Sequence, residues 1–434
     1  MSKQTPILKK VLKPVHLWSL AVGLVISGEY FGWNYGWLAG GTIGFLIATV
    51  IVTILYITFI FSFTELTTFI PHAGGPYAFA EKAYGPLGGL IAGYATLTEF
   101  VLAPPAIAFA LGSYVHFLYP VFSVMPVAVS CYIIFTCINL LGIKESAVFT
   151  FVVTILAIAE LCLFVGIVSP HFHYQNFIKD GMPFGIKGIF AALPFAVWFY
   201  LGIEGVAMVA EEVIEPQKNI PKGYIWGLLT LIVLALAVMI ATGGVTDWHL
   251  LSNIDYPLPE SISIVLGKSN SFTKLFAGIG LFGLIASFHG LMVGYSREIF
   301  ALSREGLLPK FLSDVNQKFQ TPHWALVAGA VIGFISLFTG TTDKVITISA
   351  LGAVVMYAIS MLSLLRMRRK KTIINASFKT PFYPWFPVIA LILSLVCLVA
   401  IVWYNLILSI IFFSGLLFII FVFILTGRHR KKIV

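Results

Sequence analysis

The stretch Val25-Ile26-Ser27-Gly28-Glu29-Tyr30-Phe31-Gly32-Trp33 decides how this chain is read. It sets one acidic side chain, between two glycines, inside a long apolar run. A charge at the centre of a membrane helix costs about 2.5–3.5 kcal/mol on insertion scales, so it occurs with a partner or a cavity. A glycine weakens a helix by roughly 1 kcal/mol and lets the backbone open. The combination predicts an unwound segment that faces a cavity at mid-membrane depth. The alternative is a packing pair of glycines, with Glu29 hydrogen-bonded to a neighbouring helix.

The surroundings justify speaking of a membrane. The 434 residues are 59% apolar and 10% charged, against about 25% charged in a soluble domain. That is too little polar surface to cover a water-soluble particle of this size. In lipid the backbone must satisfy its own hydrogen bonds. The apolar runs are continuous rather than alternating, so they predict helices and not barrel strands.

Windows of about 20 apolar residues fall near 15–39, 43–69, 87–117, 121–141, 147–168, 188–210, 224–243, 274–300, 324–340, 344–365, 387–404 and 406–426. They predict an all-α membrane protein with twelve transmembrane helices. One polytopic domain covers 1–426, and a basic tail follows at 427–434. Of the 27 Lys and Arg, only Lys179, Lys187, Lys268, Lys274 and Lys344 fall on the face opposite the termini. The positive-inside rule then puts both termini in the cytoplasm of an inner-membrane protein. The net charge of +9 is a topology signal aided by anionic lipid heads, not a nucleic-acid footprint. Lys3, Lys9, Lys10 and Lys13 lead into the first window without a small-residue cleavage site, so no removed signal peptide is expected. Cys131, Cys137, Cys162 and Cys397 lie in apolar runs without metal-ligand spacing and read as small core hydrophobes. No metal or cofactor is expected. The outer connection at 244–273, rich in proline, is expected to hold a short surface helix or a lid.

The sixth window carries a second interruption, Trp198-Phe199-Tyr200-Leu201-Gly202-Ile203-Glu204-Gly205. Windows 1 and 6 would begin two five-helix halves, about 15–168 and 188–365, followed by two extra helices at about 387–426. Matching interruptions in two halves point to a binding site in inverted-repeat transporters. Further polar groups interrupt apolar runs: Glu99 in window 3, Glu160 in window 5, and Ser287 and His289 in window 8. Glu99, Glu160 and His289 are candidates for proton carriage or substrate contact, with an interhelical hydrogen bond as the plainer reading. Glu65, near the end of window 2, takes the plainer reading.

Three motifs occur in order beyond this point. The first is Glu65-Leu66 followed by Pro71-His72-Ala73-Gly74-Gly75-Pro76-Tyr77. The second is Glu211-Glu212 followed by Pro216-Gln217-Lys218-Asn219-Ile220-Pro221, read as a connection between windows 6 and 7. The third is Ser303-Arg304-Glu305-Gly306-Leu307-Leu308-Pro309. This set resembles the amino acid–polyamine–organocation permeases. The resemblance implies two inverted five-helix repeats plus two helices (the LeuT-like fold), substrate held between unwound helices 1 and 6, and alternating access. In the amino acid permeases of that family, free backbone N–H groups of helix 1 receive a substrate carboxylate. Here Ser27-Gly28 is followed by Glu29, and the run Val25 to Trp37 is similar to the ethanolamine permease branch.

That resemblance implies a small amine substrate, held by Ser27, Gly28, Glu29, Tyr30, Trp33, Glu99, Trp198, Tyr200, Gly202 and Glu204. Tyr30, Trp33, Trp198 and Tyr200 would add cation–π contacts of roughly 0.5–2 kcal/mol each when desolvated. A zwitterionic amino acid remains the alternative, with Glu29 protonated or turned away. A sodium site in such a fold would use helix 1 carbonyls and a helix 8 hydroxyl, for which Ser287 stands. The expected drive is the proton gradient or the membrane potential; Glu160, Glu99 or His289 would serve proton coupling, and the proton is preferred to sodium as the coupling ion. A membrane enzyme or a receptor is a third class; the chain holds no HExxH, CxxC or Walker loop.

Overall fold

The computed structural model describes residues 10–142, 147–316, 318–319, 321–373 and 376–425. Lys3, Lys9, Lys144 and the tail at 427–434 lie outside the described residues. Every predicted window is helical. In chain order the helices are α1 (Pro14–Val25), α2 (Ser27–Tyr30), α3 (Tyr35–Phe69), α4 (Pro76–Tyr84), α5 (Pro86–Leu118), α6 (Val124–Leu140), α7 (Ala147–Val168) and α8 (Tyr174–Ile178). After them come α9 (Gly185–Trp198), α10 (Pro216–Gly243), α11 (Pro257–Leu266), α12 (Ser271–Arg304), α13 (His323–Thr339), α14 (Thr342–Arg369), α15 (Trp385–Tyr404) and α16 (Leu406–Leu425). Among the described residues, nine helical segments are both long and apolar enough to cross a membrane. Pro14–Val25, Val124–Leu140 and His323–Thr339 are shorter apolar helices.

The first window is divided where its glycines fall, but the opening lies after Glu29. Phe31 is extended and Gly32 takes φ +89°. Helix resumes at Tyr35, then bends at Gly41 (φ +70°), where the first window gives way to the second. A Cβ at Gly41 would stand 2.5 Å from the Gly181 carbonyl oxygen. That oxygen accepts from the amides of Ile43 and Gly44, so it caps the new helix. The sixth window ends as α-helix at Trp198, turns through Gly202 at φ +98°, and continues as a 3₁₀ helix over Ile203–Glu212.

Two expectations need correction. The Pro216 motif is not a loop: it forms the first turns of α10, which starts eight residues before the predicted window. Pro216 occupies the first turn, where a missing N–H costs nothing. The cysteines are not all core hydrophobes. Cys397 is buried, but Cys137 and Cys162 are exposed on the outer surface of the helices. That surface is strongly apolar, with Val399, Ile407 and Phe421 all more than half exposed, as a lipid-facing surface requires.

α1 packs on α7, α10 and α12, while α5 packs on α12 and α14. α3 packs on α9, α10 and α15. The two interrupted windows therefore lie inside a ring of long helices. Glu65 proves structural, as expected. It is fully buried, its Oε1 is 2.6 Å from Arg368 Nε at the end of α14, and its Oε2 accepts from the Thr380 amide at 2.7 Å.

Removing one partner of a buried ion pair costs about 3–5 kcal/mol, less where one side reaches water. The Arg368 side chain is 21% exposed. Arg368→Ala is therefore expected to destabilise by about 2–3 kcal/mol, seen as a lower thermal unfolding midpoint in detergent.

Candidate functional site

The interrupted segments touch at Gly28. A Cβ there would meet the Trp198 carbonyl oxygen at 2.5 Å and the Phe199 Cα at 3.3 Å. Gly28 is thus needed for close approach, while Gly32 supplies the left-handed backbone. Opening a helix in a dry interior exposes carbonyls and amides that must find partners. They find them in side chains from elsewhere. Ser287 on α12 donates to the Gly23 carbonyl (2.7 Å) and accepts from the Ser27 amide (3.1 Å). Trp33 Nε1 donates to the Glu29 carbonyl (3.1 Å), and Trp198 Nε1 donates to the Phe31 carbonyl (3.0 Å). Asn34 Oδ1 accepts from the Gly32 amide at 3.0 Å.

Glu29 sits at the centre of this arrangement with no exposed surface. Among the described residues, neither of its carboxylate oxygens has a hydrogen-bond partner. Tyr30 and Tyr200 lie within electrostatic reach of it. The Tyr200 hydroxyl is 2.7 Å from the Thr53 hydroxyl on α3. A second acidic centre lies beyond Gly202. Glu99 from α5 and Glu204 face each other, both fully buried. Tyr357 donates to Glu204 Oε2 at 3.4 Å and shares a 2.7 Å hydrogen bond with Tyr56.

Tyr30 turns the other way. Its hydroxyl donates to Glu160 Oε2 on α7 at 2.7 Å. Glu160 Oε1 lies close to Gly280 on α12, so this carboxylate stands where the segment around Glu29 meets α7 and α12. His289 is placed elsewhere: its Nδ1 is 3.1 Å from Asn139 Nδ2 on α6, which is the plainer interhelical role. Trp33 packs among Phe45, Phe199 and Trp37. The structure thus gathers Ser27, Gly28, Glu29, Tyr30, Trp33, Trp198, Tyr200 and Gly202 around the two breaks, with Glu99 and Glu204 alongside. Ser287 and Glu160 border the same region, and His289 faces away from it.

Sequence reasoning missed Thr53, Tyr56, Asn34 and Tyr357. Thr49, Thr53 and Tyr56 do recur at helical spacing in the second window, and that stripe was the available signal. Both ends of the interrupted first window are tied down. At its N-terminal end, the amides of Val11 and Leu12 donate to the Glu212 carbonyl, and Ile214 N donates to the Leu12 carbonyl. Arg297 pairs with Glu212 at 3.1 Å, and the Ala73 amide donates to Glu211 Oε1 at 2.9 Å. The family-like motifs therefore converge on one closure. At the other end, Asn34 Nδ2 donates to the carbonyls of Leu251 (2.7 Å) and Ile254 (2.8 Å). The expected helix in the outer connection exists as α11.

A buried, partner-poor carboxylate between two interrupted helices, enclosed by long apolar helices, defines a multi-pass membrane transporter. Comparison with known proteins gives the family. The amino acid permease family model matches residues 12–430, and the chain belongs to that family. An uncharacterised transporter of Rhizobium meliloti is 30% identical, with 89% of this chain and 85% of that protein covered. A methylthioribose transporter of Bacillus subtilis is 29% identical over 76% of this chain and 75% of its own length. A branched-chain amino acid permease of the same organism is 28% identical, covering 85% and 83%.

If the Trp198 N–H is what stabilises the break, Trp198→Phe keeps the ring and loses the donor. It is expected to cost about 1–3 kcal/mol, the penalty of an unsatisfied buried carbonyl. Comparison of thermal unfolding with Trp198→Phe and Phe199→Leu checks this: Phe199 offers a ring but no donor.

Proposed function

We propose that this permease is a secondary active transporter that imports a small organic amine, ethanolamine or a close relative, by alternating access. In this reading twelve helices cross the inner membrane, both termini are cytoplasmic, and windows 1–5 and 6–10 form the inverted repeats. The observation that carries the substrate class is Glu29: a fully buried carboxylate at the helix break, with neither oxygen partnered among the described residues. No Lys or Arg ion pair is found at Glu29, Glu99 or Glu204 among the described residues. An ammonium group meets that deficit directly.

Magnitudes separate this from the amino acid reading, which the similarity to a branched-chain amino acid permease keeps in view. Two like charges 4 Å apart repel by about 4 kcal/mol at an effective dielectric constant of 20. Binding at a millimolar dissociation constant totals about 4 kcal/mol. An ionised Glu29 therefore cancels the affinity for a substrate carboxylate. The drive is the proton gradient or the membrane potential, and the proton is preferred to sodium as the coupling ion. That preference rests on Glu160, held by Tyr30 of the interrupted segment, and on Ser287, whose hydroxyl is already engaged as donor and acceptor to helix 1.

Uptake of labelled ethanolamine into proteoliposomes tests the proposal. Competition by other small amines, and none by alanine or glutamate, is expected. Glu29→Gln should reduce amine uptake by at least tenfold with the protein still folded. Strong competition by an amino acid, or normal ethanolamine uptake by Glu29→Gln, would overturn the assignment. Uptake that needs sodium and survives collapse of the proton gradient would overturn the coupling.

A further inference from the structure

The outer connection is tied to the bundle through one carboxylate. Asp255 Oδ1 accepts from the Tyr35 hydroxyl at 2.7 Å, and its Oδ2 accepts from the Thr342 hydroxyl at 3.0 Å. Tyr35 stands six residues beyond Glu29 on the resumed helix, and Thr342 is the first residue of α14. One side chain therefore joins two long helices, α3 and α14, to the segment leading into α11. Next to it, Asn34 is clamped to Leu251 and Ile254.

We propose that Asp255 is a proton-binding latch that seals the outer side of the substrate site, and that the seal tightens when Asp255 takes up a proton. The physical route is short. Any outward opening that frees Tyr35 from α14 must break the Tyr35–Asp255–Thr342 chain and wet the carboxylate. A carboxylate held away from water favours its neutral form more than a wetted one does. Closure and proton uptake are then linked.

The charges around the latch agree. Asp343 at the start of α14 adds negative charge, itself bonded by the Thr341 hydroxyl at 2.5 Å. Tyr35 and Tyr256 are the other titratable groups facing Asp255, and both are neutral at physiological pH. Burial raises Asp255 from the ordinary 3.8 to about 6, against the hydrogen bonds from Tyr35 and Thr342. The sign follows. The sealed form binds the proton more tightly than the open form, so acid favours sealing. The effect is complete below about pH 4 and is lost as pH rises through about 6. Between pH 7 and pH 5 the sealing equilibrium moves by about tenfold. This latch concerns gating and does not depend on which substrate Glu29 selects.

The test places a reporter cysteine at Ile346, one turn below Thr342 and fully buried. Its labelling by a membrane-impermeant thiol reagent, added on the side of residues 244–267, is read in proteoliposomes. Rates are normalised to a cysteine at the exposed Leu250, which removes the reagent's own pH dependence. Normalised labelling should fall about tenfold from pH 7 to pH 5. In Asp255→Asn that pH response should vanish, and in Tyr35→Phe labelling should rise at both pH values. A parent protein whose labelling is the same at pH 5 and 7, including none at either, overturns the latch. So does a pH response that survives in Asp255→Asn, provided this variant remains monodisperse and reconstitutes normally.

Discussion

Everything at the centre of this molecule depends on satisfying a backbone opened in a dry place. An unpaired amide or carbonyl in hydrocarbon costs several kcal/mol. The segment from Gly23 to Asn34 is tolerable because Ser287, Trp33, Trp198 and Asn34 supply the missing partners. Three of those four residues lie on the interrupted segments themselves. The break therefore largely brings its own support, and α12 adds the Ser287 hydroxyl. This explains why large aromatic residues crowd a place where a cavity was expected: they are hydrogen-bond donors first.

The same constraint sets the chemistry available to the site. Backbone donors and acceptors are mostly consumed within the protein. Beside the two breaks, both carboxylate oxygens of Glu29 and of Glu99 and one of Glu204 are left without partners among the described residues. Lys and Arg collect instead at the membrane faces, as in Arg297 with Glu212 and Arg368 with Glu65. Negative charge is thus concentrated inside the bundle, and the ion-paired cations stand at its ends.

The sequence made the helices legible because hydropathy reports burial in lipid directly. It also marked both interruptions, since glycine beside a carboxylate has few other uses inside a span. Its failures were of another kind. Gly28 and Gly32 look alike in sequence, yet Gly28 makes room for the Trp198 backbone, whereas Gly32 both takes a left-handed backbone and makes room for the Trp198 ring. His289 looked as eligible as Glu160, but which face of α7 or α12 meets the break depends on helix rotation, and apolar windows carry no such phase. Tyr56 and Tyr357 were missed for the same reason. The start of α10 was misplaced because a polar first turn resembles a loop until the helix is seen to begin at Pro216.

The two closures described above act on the same strip of chain. Leu12 and Val11 are held at one end, Asn34 and Tyr35 at the other, and Glu29 between them has no exposed surface. In this form neither end of the molecule offers a path to Glu29. Each end is closed by its own set of hydrogen bonds, one made by the backbone of Val11, Leu12 and Ile214 and the other by the side chains of Asn34 and Tyr35. The two ends therefore differ in what must break for each to open: a short backbone pairing at one, a few side-chain clasps at the other.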